Sequence, residues 1–127
     1  MTRREMIELV DRYFGAVDGE DFGVIGETLA ADCIFSVETH GVVLRDRAGI
    51  KAMFRRLWDD HAAVSHRDFV HVADPDAGRI AVRFQVVNTQ PDGAETHKSN
   101  CNFFEIEDGR FTRVAVYMDG GNTLTSG

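Results

Sequence analysis

Very little in this chain offers a hold on nucleic acid. Lys and Arg number 14 against 21 Asp and Glu, a formal charge of −7, and no basic run could track a phosphate backbone. Long hydrophobic runs are missing too. The longest unbroken apolar stretch is five residues, Val114 to Met118, far short of the roughly 20 that a membrane-spanning helix needs. Met1-Thr2-Arg3-Arg4 leads into Glu5 and Glu8 rather than into an apolar segment, so no signal peptide is expected and the expected location is cytoplasmic. The two cysteines, Cys33 and Cys101, lack CxxC spacing and read as free thiols. No nucleophile elbow, P-loop or Rossmann glycine pattern occurs, which disfavours covalent and nucleotide-dependent mechanisms; no cofactor is expected.

What is present suits one ordinary domain. The 127 residues are 43% apolar and 28% charged, normal for a globular chain. A single domain over 1–127 is expected, with an ordered core from about 3 to 120 and a loose end from Gly120 onward. Met6, Val10, Tyr13, Phe14 and Val17 form one stripe of a 3.6-residue period, so the first segment is a helix, with Gly19 as its stop. Asp21 caps a short second helix carrying Phe22, Ile25 and Leu29. Cys33, Phe35 and Val37 alternate as a short strand, and a reversal at His40-Gly41 leads into Val42–Leu44. Asp46 then caps a third helix, whose Ile50, Met53, Phe54, Leu57 and Trp58 give the cleanest amphipathic pattern in the chain.

Beyond residue 64 the texture changes. Turn signals at Asp74-Pro75-Asp76-Ala77-Gly78, Gln90-Pro91-Asp92-Gly93 and Asp108-Gly109 separate four strands, Ser65–Ala73, Arg79–Gln90, Glu95–Glu107 and Arg110–Asp119. The short connections predict an antiparallel meander. Strands this long twist and bend, often at bulges. The fold class is therefore α+β, a curved, mostly antiparallel sheet wrapped on three N-terminal helices as a cone-shaped, cystatin-like roll. A bent sheet cannot lie flush on straight helices, and the hollow left between them is the natural small-molecule site.

The residues that build this pattern resemble a known family. "LAADCIFSVETHGVVLRDRAGIKAMFRRLW" and the closing "FFEIEDGRFTRVAVYMDG" are similar to the nuclear-transport-factor-2-like superfamily, and within it to the SnoaL-like group, relatives of polyketide cyclases and ketosteroid isomerases. The likeness rests on the short strand before Gly49-Ile50 and on the Asp108-Gly109 turn followed by Tyr117-x-Asp119. It spans about residues 3 to 120. It implies an apolar cone with acid–base groups at its bottom or mouth, where burial shifts their protonation.

Mapped on that resemblance, Tyr13 matches a tyrosine that donates from the first helix. The position of the isomerase base holds Val37, which cannot move a proton, and Glu38 beside it points to the other strand face, so steroid isomerase activity is not implied. Asn102 takes the place of the isomerase's protonated acid and can donate without a shifted pKa. On its strand, Lys98, Asn100, Asn102, Phe104 and Ile106 share one face. Asp119 matches a terminal-strand carboxylate and is a candidate base. His66, on the same face as Asp68 two residues on, is a second candidate base. His66 and His71, an odd offset apart, cannot share an ion without a bulge, and no HxH or HxxxH occurs; no metal is expected. Phe35, Met53, Phe54, Trp58, Phe104 and Tyr117 are the expected ligand-binding lining.

The leading reading is thus a cofactor-free isomerase, cyclase or dehydratase acting on a hydrophobic small molecule by acid–base chemistry. Asp119 or His66 would be its base, with Tyr13 and Asn102 polarising an oxygen. The alternative is a non-catalytic binding or dimerisation module of the same fold. In either case a homodimer is expected through the convex sheet face, where Ala81, Val87, Cys101 and Phe103 would form a partly apolar patch.

Overall fold

The computed structural model describes residues 1–124. The first helix, α1 (Arg3–Asp18), starts in a reciprocal cap: Thr2 Oγ1 accepts from the Glu5 amide, and the Glu5 carboxylate accepts from the Thr2 amide. The expected stripe faces inward, with Met6, Val10, Tyr13, Phe14 and Val17 all buried. Helix α2 (Phe22–Thr28) is capped by Asp21 as expected, but it stops one residue before Leu29. Leu29 instead opens β1 (Leu29–Val37), where it pairs with Phe111. The Arg47 guanidinium donates to the carbonyls of Gly26 and Leu29 at 2.9 and 3.2 Å, fixing this helix-to-strand corner. A 3₁₀ turn (Glu38–His40), β2 (Val42–Leu44) and α3 (Arg47–Asp60, capped by Asp46) follow.

The remaining chain is the meander: β3 (Ala63–Asp74), β4 (Arg79–Thr89), β5 (Glu95–Glu107) and β6 (Arg110–Tyr117). Asp108 and Gly109 both have positive φ, 51° and 75°, the two-residue turn that matches strand twist and that Asp-Gly favours. The six strands lie in the order β2-β1-β6-β5-β4-β3. All neighbours are antiparallel except β1 and β6, which run parallel. The sheet is curved, mixed and unclosed, and the three helices cover its concave face in an α+β fold.

Two departures from regular strand geometry matter for the site. In β3 the register shifts between Arg67 and Val70, where Asp68 has φ 58°, a bulge. Before it Val64 and His66 face inward; after it Phe69 and His71 do, Phe69 packing 5.1 Å from the Phe14 ring. The odd offset between His66 and His71 therefore does not separate them: both turn toward α1. At the other departure, β6 ends at Tyr117, two residues earlier than expected. The Met118 amide donates to Thr39 Oγ1 and the Asp119 amide to Asn100 Oδ1, so strand alternation no longer governs where Asp119 points.

Candidate functional site

Between the helices and the concave sheet lies a cavity of about 430 Å³ counted to its mouth, of which about 40 Å³ is open to the centre of a water molecule. At roughly 10–15 Å³ for the first water, that space suits a few waters rather than a polycyclic guest. Aromatic and aliphatic groups make most of the wall: Phe14 and Val17 from α1, Phe54 and Leu57 from α3, Phe35 from β1, Phe84 from β4. Polar groups enter from one side. His66 comes from β3, Asn88 from β4, and Asn100 and Asn102 from β5, while Tyr13 faces them from α1.

His66 is the best-held of these. Asp18, the last residue of α1, accepts from the His66 backbone amide with Oδ2 at 2.8 Å and meets its ring Nδ1 with Oδ1 at 2.5 Å. One carboxylate thus fixes both the strand position and the ring. In the neutral ring, a proton on Nδ1 directed at Asp18 leaves the lone pair on Nε2. The ring packs against the Phe14 and Phe84 rings, with centroids 4.9 and 5.4 Å away, in a three-ring cluster in which the two phenylalanines also touch. Asp18 itself is anchored through Trp58, whose indole N–H donates to the Val17 carbonyl at 2.9 Å. A similar but more exposed pair, His71 Nε2 and Asp11 Oδ1 at 3.2 Å, ties the far end of β3 to α1.

The carboxamides are notable for what they lack. Asn88 and Asn102 are 1% and 3% exposed. Both polar atoms of the Asn88 side chain and Oδ1 of Asn102 have no hydrogen-bond partner among the described residues. Native interiors leave few such groups, each at about 1–3 kcal/mol, and here both residues line the same cavity, from neighbouring strands and separated along them in register. Tyr13 is buried, its ring packed edge-on against Phe14, Phe104 and Phe111. Burial, with the nearby Cys33 adding to it, holds its hydroxyl far above the usual phenol range, so it can donate but does not act as a phenolate.

The expected residues divide accordingly. Tyr13, His66, Asn102, Phe35 and Phe54 line the cavity. Asp119 does not: it is exposed, and its carboxylate reaches back to the Ser99 amide at 3.4 Å. Tyr117 does not either. Its register with Cys101 puts it on the outer sheet face, 47% exposed. Met53 and Phe104 are buried core, the Phe104 ring tilted against Phe111 at 4.5 Å, and Trp58 serves the end of α1 instead of the wall. The partner expected for His66, Asp68, is swung out by the bulge and exposed; Asp18 holds that role. Glu38 stays outside as well, accepting from Ser36 and Arg113. On the convex face Ala81, Cys101 and Phe103 are at least partly exposed, whereas Val87 is buried.

Asn88, Asn100 and Asp18 were not anticipated. Asp18 had one readable signal. An acid in the last turn of a helix faces the unfavourable end of the helix dipole, a position that asks for a specific partner.

Known proteins agree with this architecture. A candidate polyketide cyclase from Xanthomonas campestris pv. campestris superposes with a TM-score of 0.84 at 24% identity, covering 92% of each chain. A candidate polyketide cyclase from Pseudomonas putida gives 0.77 at 22% identity over 90% of this chain and 91% of that one. An LEH-like epoxide hydrolase from M. tuberculosis gives 0.75 at 20% identity over 91% and 84%. At these identities the likeness is one of fold. No curated protein matches the chain. The sequence profile of the SnoaL-like domain matches residues 10–114, and with the cavity and the curved sheet in place, this chain belongs to the SnoaL-like family.

Proposed function

We propose that the protein is a cofactor-free acid–base enzyme that removes a proton from carbon next to a carbonyl in a hydrophobic, ring-containing substrate and completes an isomerisation or dehydration. The observation that carries this reading is the Asp18-clamped His66 in a cavity that also holds two carboxamides with unmet hydrogen bonds. His66 Nε2 takes the proton, and the C–H electron pair moves toward the carbonyl oxygen. The amide N–H of Asn88 and the Tyr13 hydroxyl are the donors available to that oxygen. Asp18 stabilises the imidazolium, which then returns its proton to another carbon or to a departing hydroxyl. The unmet acceptors, Oδ1 of Asn88 and of Asn102, call for a ligand hydroxyl, so a hydroxy ketone meets the wall better than a simple ketone. Similarity to candidate polyketide cyclases supports the same substrate character.

The test is proton exchange. In D₂O, a tetralone carrying a hydroxyl β to its carbonyl is expected to gain deuterium at the α-carbon, or to lose water, when the protein is added. His66→Gln is expected to lower that rate by about 10²–10⁴-fold. Full exchange by His66→Gln would remove the histidine from the chemistry; no exchange by the parent protein would leave a binding module.

Pairing of two copies through the outer sheet face is supported by the row Val72, Ala81, Phe103 and Ala115, which are successive cross-strand neighbours, with Val72 69% exposed. Sedimentation of Phe103→Glu, expected to be monomeric, tests it.

A further inference from the structure

Lys98 is the only charged residue that is buried among the described residues, at 6% exposure. It faces inward on β5, one inward position before Asn100 and opposite Val86, both of which line the cavity. No carboxylate pairs with it among the described residues. Its ammonium instead donates to the backbone carbonyls of Asp119 and Gly121, the latter at 2.7 Å. Those carbonyls belong to the segment after β6, which turns back on itself, the Thr123 amide donating to Met118 Sδ at 3.4 Å. Its course is held by Asn100 Oδ1 on the Asp119 amide and by His40 Nε2 at 3.0 Å from the Gly120 carbonyl. Thr123 and Leu124 then contribute to the cavity wall.

A cation withdrawn from water is poorly compensated by neutral dipoles and far better by an anion with charge-assisted hydrogen bonds. The peptide carbonyls at Lys98 therefore stand where a stronger partner would fit. Leu124 stands where an apolar body would fit, since the room left open with the segment in place suits only a few waters.

We infer that Lys98 is an anion subsite: the cavity takes a ligand whose apolar ring body ends in a carboxylate, which displaces the Asp119 and Gly121 carbonyls from the ammonium while the body replaces Leu124. This rests on reading the cavity as a substrate site and narrows the substrate to a carboxylic acid. Along β5 the order Lys98, Asn100, Asn102 then matches a molecule with its acid at the mouth and its other oxygens further in. The acidic surface, at a formal −7, gives long-range attraction to no anion, so selectivity for the acid falls to this one buried contact.

The experiment compares two probes of nearly equal shape, β-naphthoate and the corresponding naphthyl methyl ketone, by fluorescence titration of the full chain. The parent is expected to bind the acid about tenfold more tightly than the ketone, the size of one charge-assisted contact. Lys98→Met should abolish the preference while still binding the ketone, which also shows that the variant is folded. Lys98→Arg should keep it. Leu124→Ala should tighten both probes. Equal affinities in the parent, an unchanged ratio in Lys98→Met, or no binding of either probe at millimolar concentration overturns the inference. Acid preference without deuterium exchange on the hydroxy ketone would instead sink the catalytic reading and leave the subsite standing.

Discussion

The inward face of β5 is two surfaces end to end. Phe104 and Ile106 lie in the hydrophobic core, Phe104 fully enclosed by Tyr13, Phe14 and Phe111. Lys98, Asn100 and Asn102, on the same face of the same strand, are buried about as deeply, yet Asn100 and Asn102 line the cavity and Lys98 holds the segment after β6. Depth alone does not distinguish core from site. What differs is hydrogen-bond supply: the apolar half needs none, whereas the polar half has Asn102 Oδ1 unmet and a lysine resting on peptide carbonyls. A folded chain that retains such groups does so at a stability cost, and these lie together where a guest could meet them.

Three substitutions set the halves against each other. Phe104→Ala should be the most damaging, costing about 3–5 kcal/mol through lost burial and the void left behind, read as a lowered urea midpoint. A loss under about 1 kcal/mol would mean that this end of the strand is not solid core.

Tyr13, whose ring touches Phe104 while lining the cavity, stands at the boundary. Its hydroxyl is held protonated well beyond its ordinary value of 10.0. The unfolded chain releases this proton above about pH 10 and the folded chain does not. Stability should therefore be unaffected by this group below pH 10 and fall above it by up to ~1.4 kcal/mol per pH unit. Cys33, whose thiol burial and the Asp32 charge push up from 9.0 to about 12, adds an earlier loss between those limits. The comparison is thus best made in a Cys33→Ala background, where Tyr13→Phe should flatten the alkaline limb. Parallel limbs would place the phenol in solvent.

The smallest effect and the opposite sign belong to Asn102→Leu. Replacing an unmet amide with a similar-sized apolar side chain should leave stability unchanged or raise it by about 1 kcal/mol, with loss of hydroxy ketone binding. A large destabilisation would assign Asn102 to the framework.

The helices and the meander were legible because period and turn chemistry repeat over many residues. The stripe of α1, the cap of α3 at Asp46 and the Asp108-Gly109 turn each carry several agreeing signals. Tyr13, His66 and Asn102 were legible by resemblance and strand alternation, which hold inside regular elements. Alternation misled at single-residue events. An exit from β6 at Tyr117 turned Asp119 away from the cavity, and the bulge at Asp68 exchanged the anticipated partner of His66 for Asp18, 48 residues earlier. Asn88 was silent because an Asn near the end of a strand reads as the start of a turn. Lys98 was placed on the correct face, but its hold on the segment after β6 needs a reversal that no local pattern announces.

The bulge at Asp68 also bears on how the molecule avoids its own kind. An unclosed sheet has two free rims, and β3, at 12 residues the longer of the two rim strands, is one of them. A straight rim of that length carrying Val70 and Val72, 46% and 69% exposed, would offer unpaired amides and greasy side chains to any passing strand, the usual seed of fibrous aggregation. The kink at Arg67-Asp68 sets charged residues at the bend and interrupts the ladder. The residue that brings His71 round to the helix thus also keeps the open rim from being extended by a neighbour.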